Sequence, residues 1–266
     1  MYKFGLKLWS TNEQYVRDAV KFYEQGLYSY IELYAVPGSF DRYHALWSSL
    51  KIPFVIHAPH FAHGLNVSKK ECVQNNQKML SESLRWADAL DGSFVVMHPG
   101  VGGDIEEAAQ QFKMFFDKRI LVENKPYHIV PEIGNGQTAL GYTPEQIALI
   151  MDVSGVGFCL DAGHAICAAN ALGHNSYDYL NQFNKLKPTM YHLTDGDQAG
   201  IYDVHWHFGA GTFDVAKILS IYRPHSLLTI ETEKTYPDKL DDFEHDVAFL
   251  RAIEKKLSAG VAQLVG

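Results

Sequence analysis

Hydrophobic residues along this chain fall into short apolar runs, separated by longer stretches in which they recur every three or four positions. The runs are KFGLKLW (3–9), YSYIELYA (28–35), FVIHAP (54–59), SFVVMHP (93–99), RILVENK (119–125), VGFCLDA (156–162), TMYHLTD (189–195) and LLTIETE (227–233). Their length and composition predict β-strands, and the intervals between them accommodate helices. The final helical pattern is the clearest, with Leu240, Phe243, Val247, Leu250, Ile253 and Leu257 on one face. A helix start is also legible at Thr143-Pro144-Glu145-Gln146, which places an N-cap threonine, an N1 proline and an N3 glutamine in order. Nearly continuous apolar strands alternating with helices predict a parallel sheet covered on both faces. Eight such units can close into an α/β (β/α)8 TIM barrel. A doubly wound open sheet is the alternative, but no GxGxxG turn follows the first strand. No linker or internal repeat divides the chain, so the expected architecture is a single-domain barrel over residues 1–258, followed by a loose C-terminal tail, AGVAQLVG (259–266).

Composition narrows the class of partner. Apolar residues make up 47% and charged residues 20%, ordinary for a globular protein with a sizeable core. The net charge of −8 argues against a surface built for polyanions. Cys72, Cys159 and Cys167 are odd in number and lack CxxC spacing, which suits a reducing compartment and not a disulfide framework. No apolar run approaches the roughly 18 residues of a membrane span, and MYKFGLKLWS lacks a signal-peptide core. A cytoplasmic protein with no membrane partner is expected.

In a TIM barrel the chemistry gathers at the C-terminal ends of the strands. There the chain places His57 after strand three, His98 after strand four and Glu123 at the end of strand five. Asp161 ends strand six with His164 one turn on; His192 ends strand seven and precedes Asp203 and His205; Glu231 ends strand eight. A single histidine at a strand end is commonly a hydrogen-bonded structural residue. Four carboxylates facing one another would repel and raise one another's pKa, whereas bound cations remove that conflict and favour these ligand types. A metal site is therefore the expected use of all nine. Lys7, on strand one, either presents its ammonium at the barrel mouth to a substrate or forms a salt bridge with Glu32 on strand two. His60, in HAPH, is a second candidate for substrate binding.

The motifs HAP (57–59), HPG (98–100), EN (123–124), DxxH (161–164), the strand-seven His192, DxH (203–205) followed by GxG (209–211), and IET (230–232) stand in the order found in endonuclease IV. The chain thus resembles endonuclease IV and the wider xylose isomerase-like TIM barrels, AP endonuclease family 2, over nearly its whole length. The resemblance implies His57, His98 and a bridging Glu123 at one zinc, and Glu123, Asp161, His192 and Glu231 at a second. His164, Asp203 and His205 would hold a third, outer zinc, with His207 beyond it. Three Zn²⁺ against four carboxylates would leave net positive charge for a hydroxide and a phosphodiester, so the implied activity is phosphoester hydrolysis by metal-activated water, with Glu123, Asp161 and Glu231 as the catalytic carboxylates.

The loops depart from that pattern. Endonuclease IV carries HVS on strand one, Tyr-Leu after the strand-three histidine, TAGQG after the strand-five glutamate and DRH in the last clamp. This chain reads LKLWS (6–10), APHFAHG (58–64), NKPYHIVPEIGNGQT (124–138) and DVH (203–205). Val204 cannot replace an arginine's phosphate-binding fork. A small phosphoester or sugar is therefore the favoured substrate, and DNA is the weaker candidate partner. The rival enzyme is a sugar or sugar-phosphate isomerase or epimerase, in which Glu123, Asp161, His192 and Glu231 surround one Mn²⁺ or another divalent ion. That quartet needs neither Asp203 nor His205, and the substrate arginine of those enzymes is missing from LTDGDQAG (193–200). A metal-dependent binding protein without turnover is the non-enzymatic alternative.

Overall fold

The computed structural model describes residues 1–134 and 136–265, with side chains through residue 259. Its strands are β1 (Lys3–Trp9), β2 (Tyr30–Tyr34), β3 (Phe54–His57), β4 (Val95–Met97), β5 (Ile120–Glu123), β6 (Gly157–Asp161), β7 (Met190–Leu193) and β8 (Leu227–Ile230). They form a closed parallel barrel in sequence order, with β8 returning to pair with β1. The helices are α1 (Val16–Glu24), α2 (Phe40–Ser48), α3 (Val73–Ala89), α4 (Ile105–Met114), α5 (Pro131–Gly134), α6 (Pro144–Ser154), α7 (Ala162–Leu172), α8 (Ser176–Asn184), α9 (Val215–Ile221) and α10 (Asp241–Val265). Every strand falls inside its predicted apolar run. The expected closed (β/α)8 barrel, and not the open sheet, is the observed fold.

Alternation along the strands separates two environments. Phe4, Leu6 and Leu8 of β1 and Ile31 and Leu33 of β2 belong to the main core cluster, whereas Gly5 pairs with Tyr30 and Lys7 with Glu32 on the other face. Low in the barrel that inner face is packed by Tyr30, Val55, Val96, Leu121, Cys159 and Met190. Gly5 is required here, because a Cβ at that position would collide with the Tyr30 ring. The Tyr30 hydroxyl is satisfied by Thr229 Oγ1 at 2.8 Å. One pleat further up, the inner face turns ionic.

Two helix-end expectations can be compared with the fold. Thr143 Oγ1 accepts from Gln146 N at 3.2 Å, as an N-cap should, while Gln146 Oε1 reaches past the cap to Gly141 N at 2.7 Å and Tyr142 N at 3.2 Å. At the other end of the chain α10 runs Asp241–Val265, so residues 259–265, expected as a loose tail, continue the last helix; Gly266 lies outside the described residues.

Candidate metal centre

All nine candidate ligands meet at one end of the barrel, and Glu123 is their hub. Its Oε2 lies 3.1 Å from His57 Nε2, 3.1 Å from His98 Nε2 and 3.7 Å from His192 Nδ1. Its Oε1 lies 3.0 Å from His164 Nδ1. His57, His98 and Glu123 each offer an atom within 4.8 Å of the others, and so do Glu123, Asp161 and His192. The outer trio is joined through Asp203 Oδ2, which is 3.1 Å from His164 Nε2 and 3.0 Å from His205 Nε2.

The backbone aims these rings. His57 Nδ1 is 2.7 Å from Ala58 O, His164 Nδ1 2.8 Å from Asn124 O and His205 Nδ1 2.8 Å from Glu231 O, so each turns Nε2 inward. Those carbonyls can only accept, which places the proton on Nδ1 and leaves Nε2 free to ligate. His192 is reversed: Nε2 meets Glu32 Oε2 at 2.9 Å and Nδ1 faces the cluster. His192 Nδ1 is buried and makes no hydrogen bond among the described residues. An orphaned imidazole nitrogen between Glu231 Oε1 (3.1 Å) and Glu123 Oε2 (3.7 Å) fits a cation ligand. Asp161 serves twice, since its Oδ1 caps α7 by accepting from His164 N at 2.8 Å.

Two residues outside the nine candidate ligands hold the site together. The Asn124 side chain clamps β6 to β5, accepting from Asp161 N at 2.8 Å and donating to Asp161 O at 2.9 Å. Asp195 ties the 194–211 loop into a knot by accepting from the backbone N–H groups of Gly196, Gly209, Gly211 and Phe213 at 2.8–3.2 Å. This explains the GxG that follows DVH. Gly209 has φ +87°, and a Cβ on Gly211 would overlap Asp195 Oδ1 and Gly196 O. Within that loop His207 bonds Asp246 Oδ2 at 2.8 Å and Thr235 Oγ1 at 2.9 Å, a hydrogen-bonding role beyond the outer trio.

The charge balance is unusual for so buried a region. Glu32, Glu123, Asp161, Asp203 and Glu231 lie among the ammonium groups of Lys7 and Lys125, with Lys234 in the same cavity. Burial raises the Glu123 carboxyl, but His98, Lys125 and His192 outweigh it and hold the group well below its ordinary value. Burial also raises Asp161, where Asp203 and Glu123 add to the effect and His164 opposes it. His164 and His205 are pushed down by burial but lifted more strongly by Asp161 and Asp203, to about 10 and about 9 respectively. Lys125, which sequence reading did not single out, lies 3.0 Å from His164 Nε2, 3.5 Å from His98 Nε2 and 3.8 Å from Glu123 Oε1. Its only sequence signal is its place two residues beyond the strand-five glutamate.

The two substrate-contact candidates are placed differently. Lys7 makes the expected salt bridge with Glu32 and a second with Glu231, its ammonium lying 2.6 Å from both Glu32 Oε1 and Glu231 Oε1, and the residue lines the cavity at the barrel mouth. His60 lines the same cavity, its Nδ1 accepts from Ala62 N at 3.2 Å, and burial together with His63 lowers its pKa to about 3. That cavity measures about 600 Å³. Its floor is the cluster, and its walls include Phe61, Pro126, Ile129 and Val130, with half-exposed Trp9 and Ile133. No helix among the described residues is long and apolar enough to cross a membrane.

Comparison with known proteins follows the same two lines as the motifs. A "Probable endonuclease 4" of Mycobacterium ulcerans (strain Agy99) is 27% identical over 209 residues, covering 75% of this chain and 78% of the relative. A D-tagatose 3-epimerase-like protein shares the fold with a TM-score of 0.70 at 19% identity, covering 97% of this chain and 99% of its own. Endonuclease IV from Thermus thermophilus shares it with a TM-score of 0.66 at 20% identity, covering 96% and 99%. The family model for the xylose isomerase-like TIM barrel matches residues 16–253, from α1 to the last helix. By that match the chain belongs to the xylose isomerase-like TIM barrel family.

Proposed function

We propose that this chain is an enzyme, a divalent-metal-dependent hydrolase of small phosphoesters with an endonuclease IV-like three-ion site. The observation that carries the reading is the outer trio, in which Asp203 Oδ2 stands 3.1 Å from His164 Nε2 and 3.0 Å from His205 Nε2. An isomerase quartet has no use for that arrangement. His57, His98 and Glu123 would hold one ion, Glu123, Asp161, His192 and Glu231 a second, and His164, Asp203 and His205 the third. The donor set is rich in imidazole and carboxylate, which suits zinc. When bound, such ions supply Lewis acidity toward phosphoryl oxygens and lower the pKa of water.

The chain's own groups supply binding and positioning. Lys125 is the better placed ammonium for a phosphoryl oxygen, since its one carboxylate contact, Glu123, is at 3.8 Å whereas Lys7 is held at 2.6 Å by two carboxylates. Asn124 and Asp195 keep the ligands in place without touching substrate. Trp9, Phe61, Pro126, Ile129, Val130 and Ile133 give the cavity an apolar lining above the polar cluster, in a volume suited to a small molecule. With a net charge of −8, DNA remains the less favoured partner.

The second reading, a Mn²⁺-dependent sugar isomerase or epimerase, draws support from the burial of Glu123, Asp161 and His192 at 2% exposure or less, with Glu231 beside them. Elemental analysis of protein purified without chelator separates the two. About three ions per chain, chiefly zinc, are expected, together with turnover of an activated phosphodiester such as bis(p-nitrophenyl) phosphate. A single manganese and no hydrolysis would replace the hydrolase with the isomerase.

Metal uptake at the outer trio should be pH-dependent. His164 and His205 titrate near 10 and 9 in the metal-free protein, and both must be neutral to ligate. Apparent affinity at that position should therefore rise between pH 7 and pH 9, by up to about tenfold per unit for each proton released. Calorimetry in buffers of different ionisation enthalpy measures the protons directly, and uptake without proton release would contradict the assignment. The same raised pKa values stabilise the metal-free fold below about pH 6.5, a contribution lost as pH climbs through 9 and 10.

A further inference from the structure

We infer that Glu32, buried beneath the ligand cluster and outside every motif that marks it, is a positioning residue that sets which nitrogen of His192 enters the metal site. The inference rests on the metal-dependent reading of that site. Glu32 is fully buried on β2, opposite Lys7 in the β1–β2 register. Its Oε2 takes His192 Nε2 at 2.9 Å and the Thr229 hydroxyl at 2.5 Å, and its Oε1 takes Lys7 Nζ at 2.6 Å. Lys7 Nζ in turn lies 2.6 Å from Glu231 Oε1. One carboxylate on a strand that contributes no ligand is thus linked to two proposed ligands of the central ion, His192 directly and Glu231 through Lys7.

His57 and His205 are aimed by backbone carbonyls, which are neutral acceptors, and His164 by the Asn124 carbonyl with Glu123 Oε1 3.0 Å from the same Nδ1. His192 is aimed by a carboxylate and is the one turned the other way, with Nδ1 inward. A carboxylate on the far nitrogen retains the proton on Nε2, fixes the tautomer and makes Nδ1 the more basic ligand. Thr229 holds the same oxygen and Lys7 the other, so the orientation of Glu32 is itself fixed.

Glu32 has a competing explanation, namely that it only neutralises Lys7, and the test separates the two. Zinc affinity is measured by chelator competition on wild type, Glu32→Gln and the double variant Lys7→Met/Glu32→Gln, which leaves net charge unchanged. Glu32→Gln should bind the central ion roughly tenfold to a hundredfold more weakly, and the double variant should stay weak. Wild-type affinity in the double variant would show that Glu32 serves Lys7 alone and would overturn the inference, as would undiminished affinity in Glu32→Gln. The unaltered protein supplies an independent check if the variants do not fold. In zinc-loaded, ¹⁵N-histidine-labelled wild type, long-range ¹H–¹⁵N correlations should show one histidine ligated through Nδ1 with its proton on Nε2. Finding every ligating histidine bound through Nε2 overturns the inference and leaves the metal reading intact. Failure of the wild type to bind any divalent ion overturns both.

Discussion

Glu123→Gln should abolish the centre. The glutamine has the shape of the glutamate, so packing around a side chain at 1% exposure is preserved. What changes is chemistry: one carboxylate oxygen becomes an amide nitrogen, which donates and cannot ligate. Glu123 is in contact with His57, His98, His164 and His192 together, and it belongs to two of the three converging sets of ligand atoms among the described residues, the third being Glu32, His192 and Glu231. Loss of the shared oxygen therefore disturbs two ion positions at once. Turnover should fall by on the order of a thousandfold or more, about 4 kcal/mol of transition-state stabilisation, with ion content reduced in the same preparation. Full ion content and near wild-type turnover in this variant would remove Glu123 from the site. Because hydrolase and isomerase both depend on this residue, the experiment tests the centre and not the reaction.

Asp203→Ala and His205→Ala choose the reaction. Asp203 Oδ2 is the joint between His164 and His205; its removal leaves two imidazoles, both lifted by that carboxylate, without their anion. If the outer ion completes a phosphoester site, each variant should lose about one ion per chain and at least about a hundredfold in phosphodiester hydrolysis, near 2.7 kcal/mol. A quartet of Glu123, Asp161, His192 and Glu231 would be left intact by either change. Interconversion of a keto-sugar at wild-type rate by both variants would therefore end the three-ion reading and establish the isomerase. Measuring both reactions on both variants keeps loss of folding from imitating loss of an ion, because a misfolded chain does neither.

The alternation of apolar strands and helical patterns was enough to specify the closed barrel, since each strand carries its own period and every run coincides with an observed strand. The nine polar residues at strand ends and in the segments that follow them were equally legible, because a barrel delivers strand ends and their following loops to one face whatever else varies. Burial and pairing across the barrel were not. The sequence offers Glu32 only as a salt-bridge partner for Lys7, and closure of the barrel onto β7 and β8 brings it also to His192 and Thr229. Lys125 and Asn124 look like loop residues until β6 lies beside β5. Asp195 resembles a further ligand in an aspartate-rich loop, yet its oxygens are taken by the backbone N–H groups of Gly196, Gly209, Gly211 and Phe213. Periodicity is local and survives in one dimension, so the sequence by itself determined the elements, their order and the polar residues offered at the barrel mouth. Which side-chain atom faces which partner depends on contacts between strands up to two hundred residues apart, and those exist only once the barrel has closed.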